Sequence, residues 1–425
     1  MSDKKITFAV CGCGSRGLDA YASYQSKHPE RMEVVAGADV RPERLELLRR
    51  RCGVAEERCY ASAEELLAQP RLADVMIIAT QDRQHVPHAL AALDKGYHLL
   101  VEKPISPDLA ECRALEQKAR ETGRAVVVCH VLRYTRFYAA LADLLRRGEI
   151  GKLETIDAVE HVAYWHYAHS FVRGNWRRSD ETSPMILAKS CHDMDILRWL
   201  AGERCLRVQS FGTLDHFRAE NAPQGAALRC LDGCTCKESC LYDAEKIYFT
   251  NTHCGLNAVG PKWPCNVVAA EPTEESLRAA LKTGPYGRCV YHCDNDVVDH
   301  QTVNLEFANN IHATFTMTAF TECCHRTIKL TGTLGEIEGD LEERVLHLRR
   351  FGQPEEVIDL NQSGGSFAGH GGGDEGLMDD LCQLIASGST QSLTGISQSV
   401  ESHVMALAAE ASRREGGRTV ELDTF

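Results

Sequence analysis

The sequence predicts an α/β N-terminal domain built on a doubly wound parallel sheet, then an α+β domain whose open sheet is mostly antiparallel. Three observations carry that expectation. Short apolar runs alternate with helical patterns through the first 130 residues, the order expected when crossover helices bury both faces of a sheet. A glycine loop, Gly12-x-Gly14-x-x-Gly17, follows the first of those runs at once. Beyond residue 300 the period changes to two: Val303, Leu305 and Phe307 alternate with Thr302, Asn304 and Glu306.

A chain of 425 residues holds two or three domains, with boundaries expected at 1–130 and 131–425 and an insertion over about 221–293. Its 44% apolar and 25% charged residues are those of a soluble globular protein. A net charge of -13 with no basic patch argues against nucleic-acid or membrane partners, and no apolar run spans a bilayer. Only Met1 to Lys5 precede the first core strand, so no secretory leader is expected and the location is cytoplasmic. The nineteen cysteines are then thiols or metal ligands rather than disulfides.

In chain order, Ile6 to Cys11 is a strand and Gly17 to Ser26 opens a helix. Of the glycines, Gly12 permits a tight turn, Gly14 lets backbone approach a pyrophosphate, and Gly17 lets helix and strand pack closely. Ser15 and Arg16 lie in that loop, at a helix N-terminus suited to phosphate. The second strand, Met32 to Ala38, ends in Asp39, whose carboxylate would accept from a ribose diol and repel a 2′-phosphate. NAD is therefore favoured over NADP, although Arg41 close by weighs the other way. Further helices are expected over Arg44–Arg51, His85–Lys95 and Leu109–Glu121, and strands over Ala73–Ala79, Tyr97–Val101 and Ala125–Cys129. Thr80, Glu102, Lys103 and His130 fall at the carboxyl ends of these strands, where such sheets bind ligands.

Gly12-x-Gly14-x-x-Gly17, Asp39, Thr80, His85 and Glu102-Lys103-Pro104 together resemble the Gfo/Idh/MocA family of nicotinamide-dependent oxidoreductases, and the resemblance extends over nearly the whole chain. It implies that His85 joins the cofactor contacts and that a cis Lys103-Pro104 bond aims the ammonium at the nicotinamide. It also implies a homodimer or homotetramer formed through the second sheet, and oxidation of a hydroxyl on a sugar, sugar derivative or cyclitol. Two other readings stay open. Some members look like redox-neutral glycosidases that oxidise, eliminate, add water and reduce again. A non-catalytic sensor of sugar or cofactor would need neither Lys103 nor His192.

In the second domain, Tyr138 to Arg147 reads as a helix and Leu153 to Val162 as a strand. Asn309-Asn310 is expected as a two-residue turn ahead of a return strand through Ala313, Phe315 and Met317, with further strands at Thr327–Leu330, Glu336–Glu338 and Val345–Arg349. The aromatic stretch from His161 to His169, with Arg173, Asn175, Trp176 and Arg177 behind it, suits a carbohydrate pocket; a half-buried aromatic strand is the plain alternative. The substrate contacts assigned are Tyr164, His166, Arg173, Trp176, Lys189, His192 and His370. Ser190 and Asp193 suggest a capping box, which puts His192 in a first helical turn where an imidazolium is disfavoured. Asp195, three residues on, would orient it for proton transfer. Lys103, His192 and Asp195 are thus the candidate catalytic group. His192-x-x-Asp195 is similar to the family's second-domain motif, but the aspartate often found four residues ahead is Ala188 here, followed by Lys189. The glycine run around His370 and Asp374 is a candidate pocket rim, and Asp294 to His300 is either pocket lining or a solvated turn.

Eight cysteines lie between Cys230 and Cys293, in a segment with poor helical period. A structural zinc on Cys230, Cys234, Cys240 and Cys289, with Cys236 or Cys293 as substitutes, is the leading expectation. An iron–sulfur cluster and plain reduced thiols are the alternatives.

Overall fold

The structure is a computed structural model and describes residues 5–362 and 368–425. Six strands, β1 (Ile6–Cys11), β2 (Met32–Ala38), β3 (Cys59–Tyr60), β4 (Val75–Ile78), β5 (His98–Val101) and β6 (Val126–Val128), make the first sheet. Their order is 3-2-1-4-5-6 and every pairing is parallel. The apolar runs are continuous because each strand is covered twice. Phe8, Val10, Val75 and Ile77 pack into one core, and Ala9, Met76, Ile78 and Val101 into another on the opposite face. The expected helices form at Pro42–Cys52, His85–Asp94 and Leu109–Thr122. The segment after the glycine loop is not one α-helix: a wide, π-type turn runs over Ser15–Ala22 and a short helix over Tyr24–Lys27.

The second sheet has nine strands: β7 (Leu153–His161), β8 (Cys205–Thr213), β9 (His300–Phe307), β10 (Ile311–Thr318), β11 (His325–Gly332), β12 (Gly335–Asp340), β13 (Val345–Arg350), β14 (Glu356–Asp359) and β15 (Val420–Glu421). The order is 14-13-12-11-7-10-9-8-15, antiparallel throughout except between β7 and β10. Period two is carried faithfully: Val303, Leu305 and Phe307 are buried, while Thr302 and Asn304 are exposed. The β9–β10 turn has three residues, not two. Phe307 pairs with Ile311, and Asn309 and Asn310 both take positive φ, +63° and +59°.

Two C-terminal helices tie the sheets together. Leu377, Met378 and Leu381 of Gly373–Ser387 enter the core beneath β1 and β4. Ile396–Arg414 sends Ile396 and Val400 into the other core of the first sheet, and Met405 and Ala409 into the core of the second.

The cysteine-rich segment does not show the zinc site expected of it. Among the described residues no group of three or more His, Cys, Asp or Glu side chains is placed to hold a metal ion. Cys230, Cys234, Cys240 and Cys289 do line one small cavity together, with Cys236. The segment is packed into the core of the second domain. Ile247, Tyr248, Phe249, Leu277, Leu281 and Tyr286 are buried, and each such side chain contributes roughly 1.5–3 kcal/mol. Arg173 closes it by donating through Nε to the Arg288 carbonyl and through Nη2 to the Tyr242 carbonyl, both at 2.7 Å.

Candidate active site

The first sheet's order reverses between β1 and β4, and a cleft of about 490 Å³ opens past their carboxyl ends. Gly12, Gly14, Ser15, Arg16, Asp39, Arg41, Thr80, His85, Glu102 and Lys103 all line it. The three glycines divide the work as the loop requires. Gly12 takes φ +95°, and a Cβ there would meet the Ala79 carbonyl oxygen at 2.4 Å. A Cβ on Gly17 would meet the Gly12 carbonyl oxygen at 1.9 Å. A Cβ on Gly14 would meet the Arg41 guanidinium alone, 4.0 Å away, so space stands open in front of it. A cradle with that one open face fits a dinucleotide's pyrophosphate. Asp39 is fixed at the cleft by accepting from the Cys13 and Arg41 backbone N–H groups at 2.8 and 2.9 Å, with the Arg41 Nε 3.6 Å from it.

Several of these residues serve the protein as well as the cleft. Thr80 Oγ1 lies 3.1 Å from His88 Nδ1. His85 braces the strand ends, its Nδ1 2.7 Å from the Pro104 carbonyl and its Nε2 3.0 Å from the Thr80 carbonyl. Arg16 directs its charge inward, donating through Nε to Glu102 at 2.7 Å and through Nη2 to Asp374 at 2.6 Å, and it also contacts Tyr21. Glu102 Oε2 accepts from the Lys103 backbone N–H at 2.8 Å. His370 meets Asp374 at 3.2 Å. Burial alone would raise the Asp374 carboxyl; the Arg16 guanidinium and then His370 outweigh it and hold that carboxyl well below the usual range. A depressed carboxyl stabilises the fold above its unfolded value and loses that contribution as pH falls. That contribution is therefore lost progressively as pH falls below about 4. Asp374→Asn should flatten that acid limb in urea unfolding curves taken across pH, and an unchanged slope would refute the linkage.

Lys103 follows β5 through a cis Lys103-Pro104 bond, as expected, and its Nζ donates to the Ala188 carbonyl at 2.9 Å. The helix Cys191–Ala201 begins beside it with Ser190 at its cap position. The capping box is not formed. Ser190 Oγ is buried without a partner, and Asp193 is taken by Arg326, whose Nε lies 2.8 Å away. Asp195 does not orient His192 either. Both its oxygens accept from Arg133, Nε and Nη2 each at 2.7 Å. His192 Nδ1 is left buried and unpartnered. Burial first, then the charge of Lys103 and the neighbouring His130 and His370, pull the His192 imidazole well below its ordinary range, so it is neutral.

His130, at the end of β6, was not assigned a role from sequence. It is fully buried, both ring nitrogens lack partners, and its ring centre lies 5.9 Å from that of His192. The unsatisfied Ser190, His192 and His130 thus stand together near the lysine. Its position beyond a strand's carboxyl end was the available signal.

Of the expected substrate contacts, Tyr164, His166, Arg173, Lys189, His192 and His370 are not among the cleft's lining residues, and Trp176 is. Trp176 lines the cleft and donates to Asp82 at 3.1 Å. Asp82 also accepts from Ser183 at 2.7 Å, another link that sequence did not suggest. Lys189 is committed to Glu160 at 3.3 Å, and Glu160 also pairs with Arg326. Tyr164 accepts from Asn251 at 2.9 Å. His166 Nδ1 lies 3.3 Å from Cys324 Sγ, and its ring packs against Trp263. Arg173 is buried in the insertion as described and does not line the cleft. His169, Trp263, Asn266 and Val267 line it instead. The Asp294–His300 stretch is a clamp: Asp294 accepts from Arg177 and Arg288, and Asp299 from the backbone N–H groups of Asp215 and His216.

A Rossmann cleft lined by a lysine, with a helix of the second domain carrying a neutral histidine, is the arrangement of a nicotinamide-dependent oxidoreductase of two domains. The chain belongs to the Gfo/Idh/MocA oxidoreductase family. Residues 6–130 match the family's NAD-binding Rossmann fold and residues 142–422 its C-terminal alpha/beta domain. It is similar over 403 residues to the YteT protein of Bacillus subtilis (strain 168), at 21% identity, covering 89% of this chain and 88% of that protein. Over 229 residues, 53% of this chain and 62% of its relative, it is 29% identical to inositol 2-dehydrogenase 4 of Saccharopolyspora erythraea. The solved structure of a levoglucosan dehydrogenase in complex with NADH and levoglucosan shares the fold, with a TM-score of 0.70 at 16% identity over 99% of this chain and 100% of that one.

Proposed function

We propose that this oxidoreductase acts on a ring hydroxyl of a sugar, sugar derivative or cyclitol and prefers NAD to NADP. One observation carries the reading: Lys103 lines the same cleft as the glycine loop and Asp39, and its charge reaches the neutral, unpartnered His192. The relatives named above as acting on inositol and levoglucosan support the substrate class. Bound NAD would supply the hydride acceptor. Gly14 and Ser15 would receive the pyrophosphate, and Asp39 would accept from the adenosine ribose diol. The hydroxyl proton would pass to the neutral His192 imidazole, or to Lys103 once its ammonium has given up a proton to become the free amine. Lys103 is held in place by Ala188 O, the residue where the family's aspartate often stands, so a carbonyl rather than a carboxylate faces the ammonium.

The test is near-ultraviolet absorbance of the protein with NAD and a panel of free sugars, cyclitols and aryl glycosides. Growth of the reduced-nicotinamide band with a free polyol is the expected result. Release of the aryl group without that band would instead mark a redox-neutral glycosidase. The NAD preference has its own test. Asp39→Ala should raise kcat/KM for NADP relative to NAD by roughly tenfold or more, since like-charge repulsion of the 2′-phosphate disappears. An unchanged ratio would remove Asp39 from that role. The outer face of the second sheet, with Thr302, Asn304 and Thr314 exposed in a row of neighbouring strands, supports a homodimer or homotetramer, to be read from solution mass.

A further inference from the structure

The insertion forms part of the cleft wall. Trp263, Asn266 and Val267 come from it, and with His169, Asn175 and Trp176 they line the same space as the glycine loop and Lys103. It is docked against the first domain, with Asn266 Nδ2 3.5 Å from Asp19 and Arg50 Nη2 2.9 Å from Glu271.

Trp263 is half-buried. Its indole is held nearly perpendicular to His166, centres 4.7 Å apart at 80°, and to His169, 5.5 Å apart at 84°. His169 is in turn stacked on Tyr286 at 4.7 Å and 10°, and its Nδ1 lies 2.8 Å from the Tyr248 hydroxyl. Both tyrosines come from the insertion and are buried in the second domain's core. Thus the insertion's interior fixes His169, and His169 with His166 fixes Trp263. The remaining surface of Trp263 is an aromatic wall of the cleft that the lysine also lines. His166 couples the two ends: its imidazole is pushed well below the ordinary range by burial, then by Lys189, His169 and Lys103, so the lysine's field reaches the ring that touches Trp263.

We propose that Trp263 is the stacking platform for the substrate ring, and that the insertion is the element that sets substrate specificity. The wall is neutral. Burial and then Arg173 push the His169 imidazole down to about 3, and Asn175 and Asn266 add amides. A neutral pyranose or cyclitol has a C–H face to lay on the indole and hydroxyls for the amides. The inference rests on the proposed sugar or cyclitol chemistry, yet its test reads binding, so it stands or falls separately from turnover.

The test is saturation-transfer NMR on the full-length protein loaded with NAD, using D-glucose, D-galactose, D-xylose and scyllo-inositol as probes, with NAD affinity measured by calorimetry. Ring C–H protons of at least one probe should receive saturation in the wild type. Trp263→Phe should keep the signal. Trp263→Leu, which retains bulk without the π face, and Trp263→Ala should lose affinity by roughly tenfold, about what one lost stacked face brings. NAD affinity should change less than about twofold in all three, far below the tenfold that 1.4 kcal/mol represents. If Trp263→Ala does not fold, the Phe and Leu variants decide between them. No transfer to any probe in the wild type, equal transfer in the Leu and Phe variants, or a tenfold loss of NAD affinity would each overturn the proposal; the last would assign Trp263 to the cofactor.

Discussion

Lys103→Ala should lower kcat by about a thousandfold, within the 10²–10⁴ that positioned acid–base groups contribute, while leaving NAD affinity close to that of the wild type. The split follows from what the residue touches. Its Nζ is committed to the Ala188 carbonyl, on the second-domain side of the cleft, and not to the glycine loop or Asp39. Its backbone N–H donates to Glu102, a contact that alanine keeps. The pyrophosphate cradle depends on Gly12, Gly14 and Gly17, which the substitution does not reach. Lys103→Arg should not restore turnover, because a guanidinium keeps its proton at any pH of interest. The measurements are kcat with an accepted polyol and the NAD dissociation constant by calorimetry. Matched losses in both would mean that Lys103 binds cofactor rather than moving protons.

The first domain was legible because its signals are local. Continuous apolar runs such as Val75–Ile78 specify doubly covered strands, and a glycine's φ or close approach is a property of a short loop. Strands β3 and β15, two residues each, carry too few side chains to show any period. Side-chain partnerships were the harder part. Helical spacing does put His192 and Asp195 on one face, but Arg133, 62 residues earlier, offers a planar fork that matches both carboxylate oxygens, and that geometry prevails. Lys189 was similarly claimed by Glu160. Counting cysteines could not reveal that Tyr248, Leu277, Leu281 and Tyr286 tie the insertion into the second domain's core. Trp263 had a signal in sequence, a large aromatic in a polar, loop-like segment, yet nothing local tells that the segment returns to the cleft.

Asp195→Ala should destabilise the protein by roughly 3–5 kcal/mol, the usual cost of breaking a buried ion pair from one side. Both partners are almost wholly buried, with 1% of the Asp195 and 2% of the Arg133 side chain exposed. Burial raises the Asp195 carboxyl even against the attraction of Arg133, so the pair gains little over well-packed apolar groups. Removing one member is different, because the other charge then stays buried. Arg133 would keep only its bonds to the Leu393 carbonyl at 3.0 Å and to Gln398 at 2.8 Å, with its guanidinium 5.4 Å above the Trp199 ring. Neither oxygen neutralises it. The double variant Asp195→Leu/Arg133→Met should therefore recover most of the stability that Asp195→Ala loses, since it removes the stranded charge as well. Urea unfolding measures both. The same variants separate this structural role from the orienting role that helical spacing suggests. If Asp195 acts only through Arg133, kcat per folded molecule should stay within a few-fold of wild type in the double variant. A large fall in kcat with unchanged stability would return Asp195 to His192.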